Sequence, residues 1–239
     1  MKKNIIITGA SGSLGSSLIS FFKKKKYNII AISRKKNNLI KDSSIYYCDL
    51  SDEEMTSNTF RKIKKKYNKI DSIIACAGNS KKTFKNIESK KDWISSFNDN
   101  FYSFVNVIKF FLKYFKIGPT NIIAISSIVD KNIIDAPIPY SISKSALTYY
   151  CKIKSYDLAK KNIKINVISP GNILKKNNNW DLKIKQNKKK IEGYINKNVP
   201  LKSFCNTDDI AEICSFLIEK NRKITGSRFV IDAGQSRSL

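Results

Sequence analysis

Short runs of unbroken apolar residues alternate with longer stretches whose apolar positions recur at helical spacing, almost from end to end of the chain. Lys3–Thr8, Asn28–Ser33, Ile45–Cys48, Asp71–Ala75, Asn121–Ser126, Ile163–Ile168 and Arg228–Ile231 read as strands. Between them Leu14–Lys24, Asp52–Tyr67, Asp92–Phe115, Tyr140–Lys161 and Thr207–Glu219 read as helices, the last opened by a Thr-x-Asp cap. Strands this continuously apolar need cover on both faces, as in a parallel sheet layered between helices. The alternation predicts one α/β domain over residues 1–239, a doubly wound, mostly parallel seven-stranded sheet with right-handed crossovers.

One segment breaks the rhythm. Asn172–Asn198 is polar, lysine-rich and weakly periodic, and it begins just after Pro170-Gly171 at the carboxyl end of a strand. Ligands in open α/β sheets bind at those strand ends, so the segment is expected to be a mobile lid over a substrate. Lys175, Lys176, Lys183 and Lys185 within it would suit an anionic substrate.

Composition narrows the chemistry. The 239 residues are 41% hydrophobic, enough for a sizeable core, and no apolar run reaches the length of a membrane span. The N-terminus enters a strand without the shape of a leader peptide. Five scattered cysteines without a CxxC pair read as reduced thiols of a cytoplasmic protein. The net charge of +26, from 45 Lys+Arg against 19 Asp+Glu, raises a polyanion as a partner. The lysines are spread along the chain and no nucleic-acid recognition motif accompanies them, so nucleic acid is not the expected partner. Histidine is absent altogether, which excludes a Ser-His-Asp relay, an imidazole base and histidine metal ligands; no metal site is expected. Proton transfer has to run through Tyr, Lys, Asp, Glu or water.

Tyr140-Ser141-Ile142-Ser143-Lys144 meets that restriction. An offset of four on a helix puts the phenol and the ammonium on one face. A nearby cation favours phenolate, which would pull the tyrosine below its free pKa of about 10 and let it pass a proton to a carbonyl oxygen. That is half of a ketone reduction, and a hydride donor must supply the rest. Thr8-Gly9-Ala10-Ser11-Gly12-Ser13-Leu14-Gly15 follows the first strand and opens the first helix, where glycines permit a tight turn and close approach of a pyrophosphate to the helix N-terminus. Ser33-Arg34-Lys35-Lys36 ends the second strand. An acid there would bind a ribose 2′-hydroxyl, whereas a guanidinium grips a 2′-phosphate, so NADP(H) is expected in preference to NAD(H).

These pieces together resemble the short-chain dehydrogenase/reductase family, a Rossmann-fold group, over nearly the whole chain. The glycine turn Gly9–Gly15, Asp49-Leu50, Ala77-Gly78, Asn100 seven residues after Trp93, Ser127 thirteen before Tyr140, the Tyr140/Lys144 pair, Asn166–Gly171 and the tail Thr225-Gly226 to Asp232-Ala233-Gly234 carry the resemblance. It implies that Tyr140 is the acid in reduction and the base in oxidation. Lys144 would depress the Tyr140 pKa and hold the nicotinamide ribose. Ser127 would hydrogen-bond the substrate carbonyl, and Asn100 would position a water linking Lys144 to solvent. Cofactor contacts are implied at Gly9, Ser11, Ser13, Leu14, Gly15, Ser33, Arg34, Asp49, Leu50, Ala77, Gly78, Pro170, Gly171 and Ile173, with Asp49-Leu50 meeting adenine.

Three positions depart from the family pattern. Ser13 stands where the shorter branch has glycine, Cys76 replaces an asparagine, and Lys175 replaces a threonine that touches the nicotinamide amide. The spacing Gly9, Gly12, Gly15 matches the longer, sugar-nucleotide-modifying branch, whereas the length and tail match the shorter one. The implied function is interconversion of a ketone and a secondary alcohol, of 3-oxoacyl-thioester or keto-sugar type. The alternative is a non-catalytic dinucleotide- or polyanion-binding protein on the same fold. The resemblance also suggests a homodimer or homotetramer through the long helices.

Overall fold

The computed structural model describes residues 2–35, 44–80, 88–116, 118–175 and 179–237. Two lysines invoked above, Lys36 and Lys176, lie outside them. Seven strands form one parallel sheet: β1 (Asn4–Thr8), β2 (Asn28–Ser33), β3 (Ser44–Tyr47), β4 (Ser72–Ala75), β5 (Thr120–Ile125), β6 (Ile163–Pro170) and, last in the chain, β9 (Arg228–Ile231). Their order is β3-β2-β1-β4-β5-β6-β9, with every pairing parallel. The doubly wound α/β architecture is the one expected from the sequence.

Alternation within a strand shows why both faces need helices. Ile5 and Ile7 of β1 pack with Leu18, Ile19 and Phe22 of α1 (Ser13–Lys24) and with Ile210, Cys214 and Leu217 of α8 (Thr207–Glu219). Ile6, one residue out of phase, faces the other way, into the layer built on α2 (Glu53–Lys66), α4 (Ser103–Tyr114) and α5 (Ile138–Ala159). A side-chain period of two therefore loads both sides with fully buried isoleucine. The chain runs outward from β1 through β2 to β3, then returns to β4 and continues the opposite way. The order reverses between β1 and β4, and a crevice opens beyond the carboxyl ends of those two strands.

Three differences from the sequence reading bear on the site. The helix expected over Asp92–Phe115 is α3 (Lys90–Phe97), a π-helical turn Asn98–Tyr102 and α4, entered through a capping box in which Ser89 and Asp92 bond each other's main chain. The cap of α8 is Asn206, whose side chain accepts from the Asp208 and Asp209 amides, rather than Thr207. Within the segment read as a lid, α6 (Asn179–Gln186) and α7 (Lys188–Asn198) form, and Ile191, Val199 and Phe204 with Trp180 and Tyr194 make a small core of their own. A short parallel pair, β7 (Ile173–Leu174) with β8 (Cys205–Asn206), ties the ends of this unit together. Among the described residues no helix is long and apolar enough to cross a membrane.

Candidate active site

The crevice at the sheet reversal begins with the glycine turn. Gly9 has φ +63°, and a Cβ there would stand 2.7 Å from the Cys76 carbonyl oxygen, so only glycine lets the turn after β1 lie against the turn after β4. Gly12 caps α1 without a side-chain bond, and the first turn of that helix carries no acid, which leaves its amides and positive dipole end for an anion. Ser11 and Ser33 are joined Oγ to Oγ at 2.8 Å, which fixes the turn to the end of β2.

From that turn a cleft of about 560 Å³ runs past Ser33 and Arg34, Asp49 and Leu50, and Ala77 and Gly78. Asp49 Oδ1 accepts from the Ser51 amide and hydroxyl at 2.9 and 2.8 Å, which rigidifies the Asp49-Leu50 wall. Arg34 Nη1 lies 2.7 Å from Asp99 Oδ1 across the cleft. A second pocket of about 210 Å³ shares Cys76, Gly78 and Asn79 with the first and is lined by Ser127, Tyr140, Lys144, Pro170, Gly171 and Ile173. Together they form one channel with a tight turn and helix end in the middle. That shape and lining fit a dinucleotide laid from Arg34 at one end to Tyr140 at the other.

The structure therefore brings together most of the residues picked out from sequence. Gly9, Ser33, Arg34, Asp49, Leu50, Ala77, Gly78, Pro170, Gly171 and Ile173 line the channel, with Ser127, Tyr140 and Lys144 at its inner end. Ser13, Leu14 and Gly15 lie in the first turn of α1. Lys175 behaves differently from the threonine it replaces: its ammonium donates to the Ser13 carbonyl at 2.6 Å and to Ser16 Oγ at 2.9 Å, pinning the segment after β7 to that first turn.

Tyr140 sits in the first turn of α5, where Pro137 and Pro139 suit the helix entry, and Lys144 follows one turn later. Lys144 is buried; its Nζ donates to the Ile125 carbonyl at 2.9 Å and lies 6.0 Å from the centre of the Tyr140 ring. A Cβ at Gly78 would fall 2.8 Å from Asn100 Oδ1 and 3.0 Å from Lys144 Nζ, so these two groups meet over Gly78. Asn100 is itself buried and locked: its Nδ2 donates to the Asn79 and Ser96 carbonyls at 3.0 and 2.9 Å, and its Oδ1 accepts from the Asn79 amide at 2.9 Å.

The electrostatics correct one expectation. Burial pushes the Tyr140 phenol above its ordinary value, with Asp130 adding to the rise, while hydrogen bonding to Ser127 pulls the other way. The expected lowering by Lys144 is not among the effects that set the direction of the shift; its ammonium donates to the Ile125 carbonyl and is itself desolvated. At neutral pH Tyr140 is thus a neutral phenol with a proton to give. Burial pushes Lys144 down to about 8, against smaller opposing effects of Cys76, Asp130 and Cys151.

A measurable consequence follows from the Lys144 shift. Below about 8 the ammonium is charged in both folded and unfolded chains, and folding carries its whole burial cost; between about 8 and 10.5 the folded chain sheds the proton first. The unfolded state then binds more protons, so stability from this group rises with pH. The difference in denaturant midpoint, wild type minus Lys144→Met, is expected to increase from about pH 7 to about pH 10. A flat difference would contradict the buried-ammonium assignment.

Sequence reasoning missed a buried charge pair beneath this cluster. Asp130, three residues beyond Ser127, has a fully buried carboxylate; Arg228 of β9 reaches its Oδ1 with Nη2 at 2.7 Å. Ser126, Thr148 and Ser169 donate to its Oδ2 at 3.0, 2.6 and 2.8 Å, and Ser145 of α5 donates to its main-chain carbonyl at 2.7 Å. Its proximity to Ser127 was the available signal.

Known proteins match the chain over nearly its whole length. A family model described as enoyl-(acyl carrier protein) reductase matches residues 11–236. Carbonyl reductase family member 4 of Xenopus laevis is 29% identical over 244 residues, covering 98% of both chains. The 3-oxoacyl-(acyl-carrier-protein) reductase of Homo sapiens is 25% identical over 242 residues, again covering 98% of both. Among solved structures, ElxO with NADP bound superposes with a TM-score of 0.86 at 27% identity, covering 98% of this chain and 99% of that one. 4-Hydroxyisoleucine dehydrogenase complexed with NADH gives 0.85 at 26% identity with the same coverage.

Proposed function

Because the chain belongs to the short-chain dehydrogenase/reductase family, oxidoreductases acting on the CH–OH/C=O pair with a nicotinamide dinucleotide, we propose that it is an NADP(H)-preferring reductase of a 3-oxoacyl thioester. The observation that carries the reading is the single channel joining Arg34 to the Ser127/Tyr140/Lys144 pocket. The half-exposed guanidinium at the end of β2 supports the 2′-phosphate preference. The 3-oxoacyl-thioester class is favoured over a keto-sugar by the names of the relatives, whereas the Gly9, Gly12, Gly15 spacing alone favours the sugar.

A dihydronicotinamide dinucleotide held along the glycine turn and the cleft would supply the hydride when bound. The chain's own groups do the rest. Ser127 donates a hydrogen bond to the substrate carbonyl oxygen and orients it toward Tyr140. Tyr140 hands its phenolic proton to that oxygen as negative charge develops there. Lys144 stabilises the phenolate left behind and holds ribose hydroxyls. Asn100 keeps the Asn79 main chain in place and carries the water that links Lys144 to solvent. The five free cysteines suit a reducing cytoplasm. Ile142, Tyr149, Ile153 and Tyr156 expose apolar surface along one side of α5, which supports a homodimer or homotetramer through that helix.

The test is a panel of 3-oxoacyl thioesters and keto-sugars, assayed by loss of dihydronicotinamide absorbance with NADPH and with NADH. Turnover is expected with the thioesters, at a kcat/KM at least about tenfold higher with NADPH. Reduction of keto-sugars alone would reassign the substrate, and equal use of both nucleotides would remove the preference.

A further inference from the structure

The adenosine end of the channel contains a carboxylate that the cofactor reading does not use. Asp99 lies in the π-helical turn Asn98–Tyr102, next to the buried Asn100. In that turn Asn100 faces the Asn79 main chain, while Asp99 faces the dinucleotide cleft. Its side chain is only 10% exposed, and Arg34 Nη1 stands 2.7 Å from its Oδ1. Among the described residues it forms no second ion pair, although the chain carries 45 Lys+Arg. A half-exposed arginine just after β2 therefore leans across the cleft onto a nearly buried acid of the opposite wall.

Two opposed determinants meet at this point. A guanidinium favours a 2′-phosphate through paired donors, and a carboxylate beside a ribose repels that phosphate and accepts from a free 2′-hydroxyl. Asp99 occupies one of the Arg34 donors and adds a negative charge where a further dianion would have to bind. Like charges set side by side at a binding surface cost affinity, and the cost is specific to the charged ligand.

We propose that Asp99 is a specificity-determining residue that opposes Arg34, so that the choice between a 2′-phosphorylated and a 2′-hydroxyl dinucleotide is set by the pair rather than by Arg34 alone. The proposal rests on the NADP(H) reading above. It predicts that Asp99→Asn, which keeps the shape and removes the charge, strengthens NADPH binding while leaving NADH binding close to wild type. The gain should shrink as salt rises, because the arginine is half exposed.

Binding alone reads this out, by fluorescence titration of wild type, Asp99→Asn and Arg34→Gln with NADPH and NADH, and by calorimetry with adenosine 2′,5′-bisphosphate against AMP as probes of the adenosine end. Asp99→Ser replaces Asp99→Asn if the latter fails to fold, with NADH affinity as the check of an intact cleft. The expected result is a Kd for NADPH and for the bisphosphate lower by about tenfold in Asp99→Asn, with NADH and AMP within about twofold of wild type. If Arg34→Gln weakens NADPH selectively but Asp99→Asn moves neither nucleotide, or both equally, the opposition is overturned and the cofactor reading stands. If Arg34→Gln leaves the NADPH-to-NADH ratio unchanged, the cofactor reading falls and the opposition with it.

Discussion

Tyr140→Phe is expected to lower kcat for ketone reduction by about 10²–10⁴-fold, the usual worth of a positioned general acid. The dissociation constant for the dinucleotide should stay within about twofold, because the channel wall from Gly9 to Gly78 does not depend on the phenol oxygen. The reasoning starts from the absence of histidine, which leaves few groups able to carry a proton. In the inner pocket, Tyr140 is the group that keeps a transferable proton near neutrality, since burial holds the phenol above its ordinary value. Lys144 is an alternative donor on chemistry, but its ammonium already donates to the Ile125 carbonyl and stands 6.0 Å from the Tyr140 ring, placed to support the phenol rather than to replace it. The two directions of reaction should differ with pH. Reduction needs the phenol, which burial preserves into alkaline solution, whereas oxidation needs the phenolate and should rise as pH is raised. Retained turnover in Tyr140→Phe, with the same pH profile, would remove Tyr140 from the chemistry.

The sheet was legible in the sequence because its central strands are buried on both faces, so the clearest of them are apolar runs that need no partner to be recognised. Ile5-Ile6-Ile7 and Ile29-Ile30-Ala31-Ile32 are of this kind. Capping chemistry was legible only to within a residue: the Thr207 and Asp209 signal is real, but Asn206 is better placed to accept two amides. The π-helical turn was not legible, since one residue of extra winding leaves the apolar pattern of Lys90–Tyr114 almost unchanged. Yet that turn presents Asn100 to Gly78 and Asp99 to Arg34. The helices α6 and α7 were hidden for another reason. Their apolar face, with Trp180, Ile191 and Tyr194, is narrow and packs on a satellite cluster rather than on the sheet. The glycine turn and the Tyr140/Lys144 pair were readable because their spacing is local. The direction of the Tyr140 shift was not, because burial and the aim of a lysine are tertiary properties.

The contact most remote from sequence logic is also the one whose loss should cost the fold most. Asp130 and Arg228 are 98 residues apart, and their pairing joins the turn after β5 to the last strand at the sheet edge. Arg228→Met removes the guanidinium and leaves a carboxylate with no exposed side-chain surface and no ion-pair partner among the described residues. Breaking one side of a buried pair costs about 3–5 kcal/mol, most of it the burden of the stranded charge. For a chain of this length that corresponds to a fall of about 6–20 °C in the melting midpoint. Combining Arg228→Met with Asp130→Asn should recover most of the loss, because the amide is neutral and still meets Ser126, Thr148 and Ser169. Activity offers an independent reading of the same contact. Asp130 holds α5 through Thr148 and the Ser145 hydroxyl, and α5 carries Tyr140 and Lys144. The single variant should therefore lose kcat at temperatures where it is still folded, while dinucleotide affinity at the distant Arg34 end is kept. Equal stability of Arg228→Met and wild type, measured by calorimetry and denaturant titration, would mean that the ion pair contributes nothing to the fold.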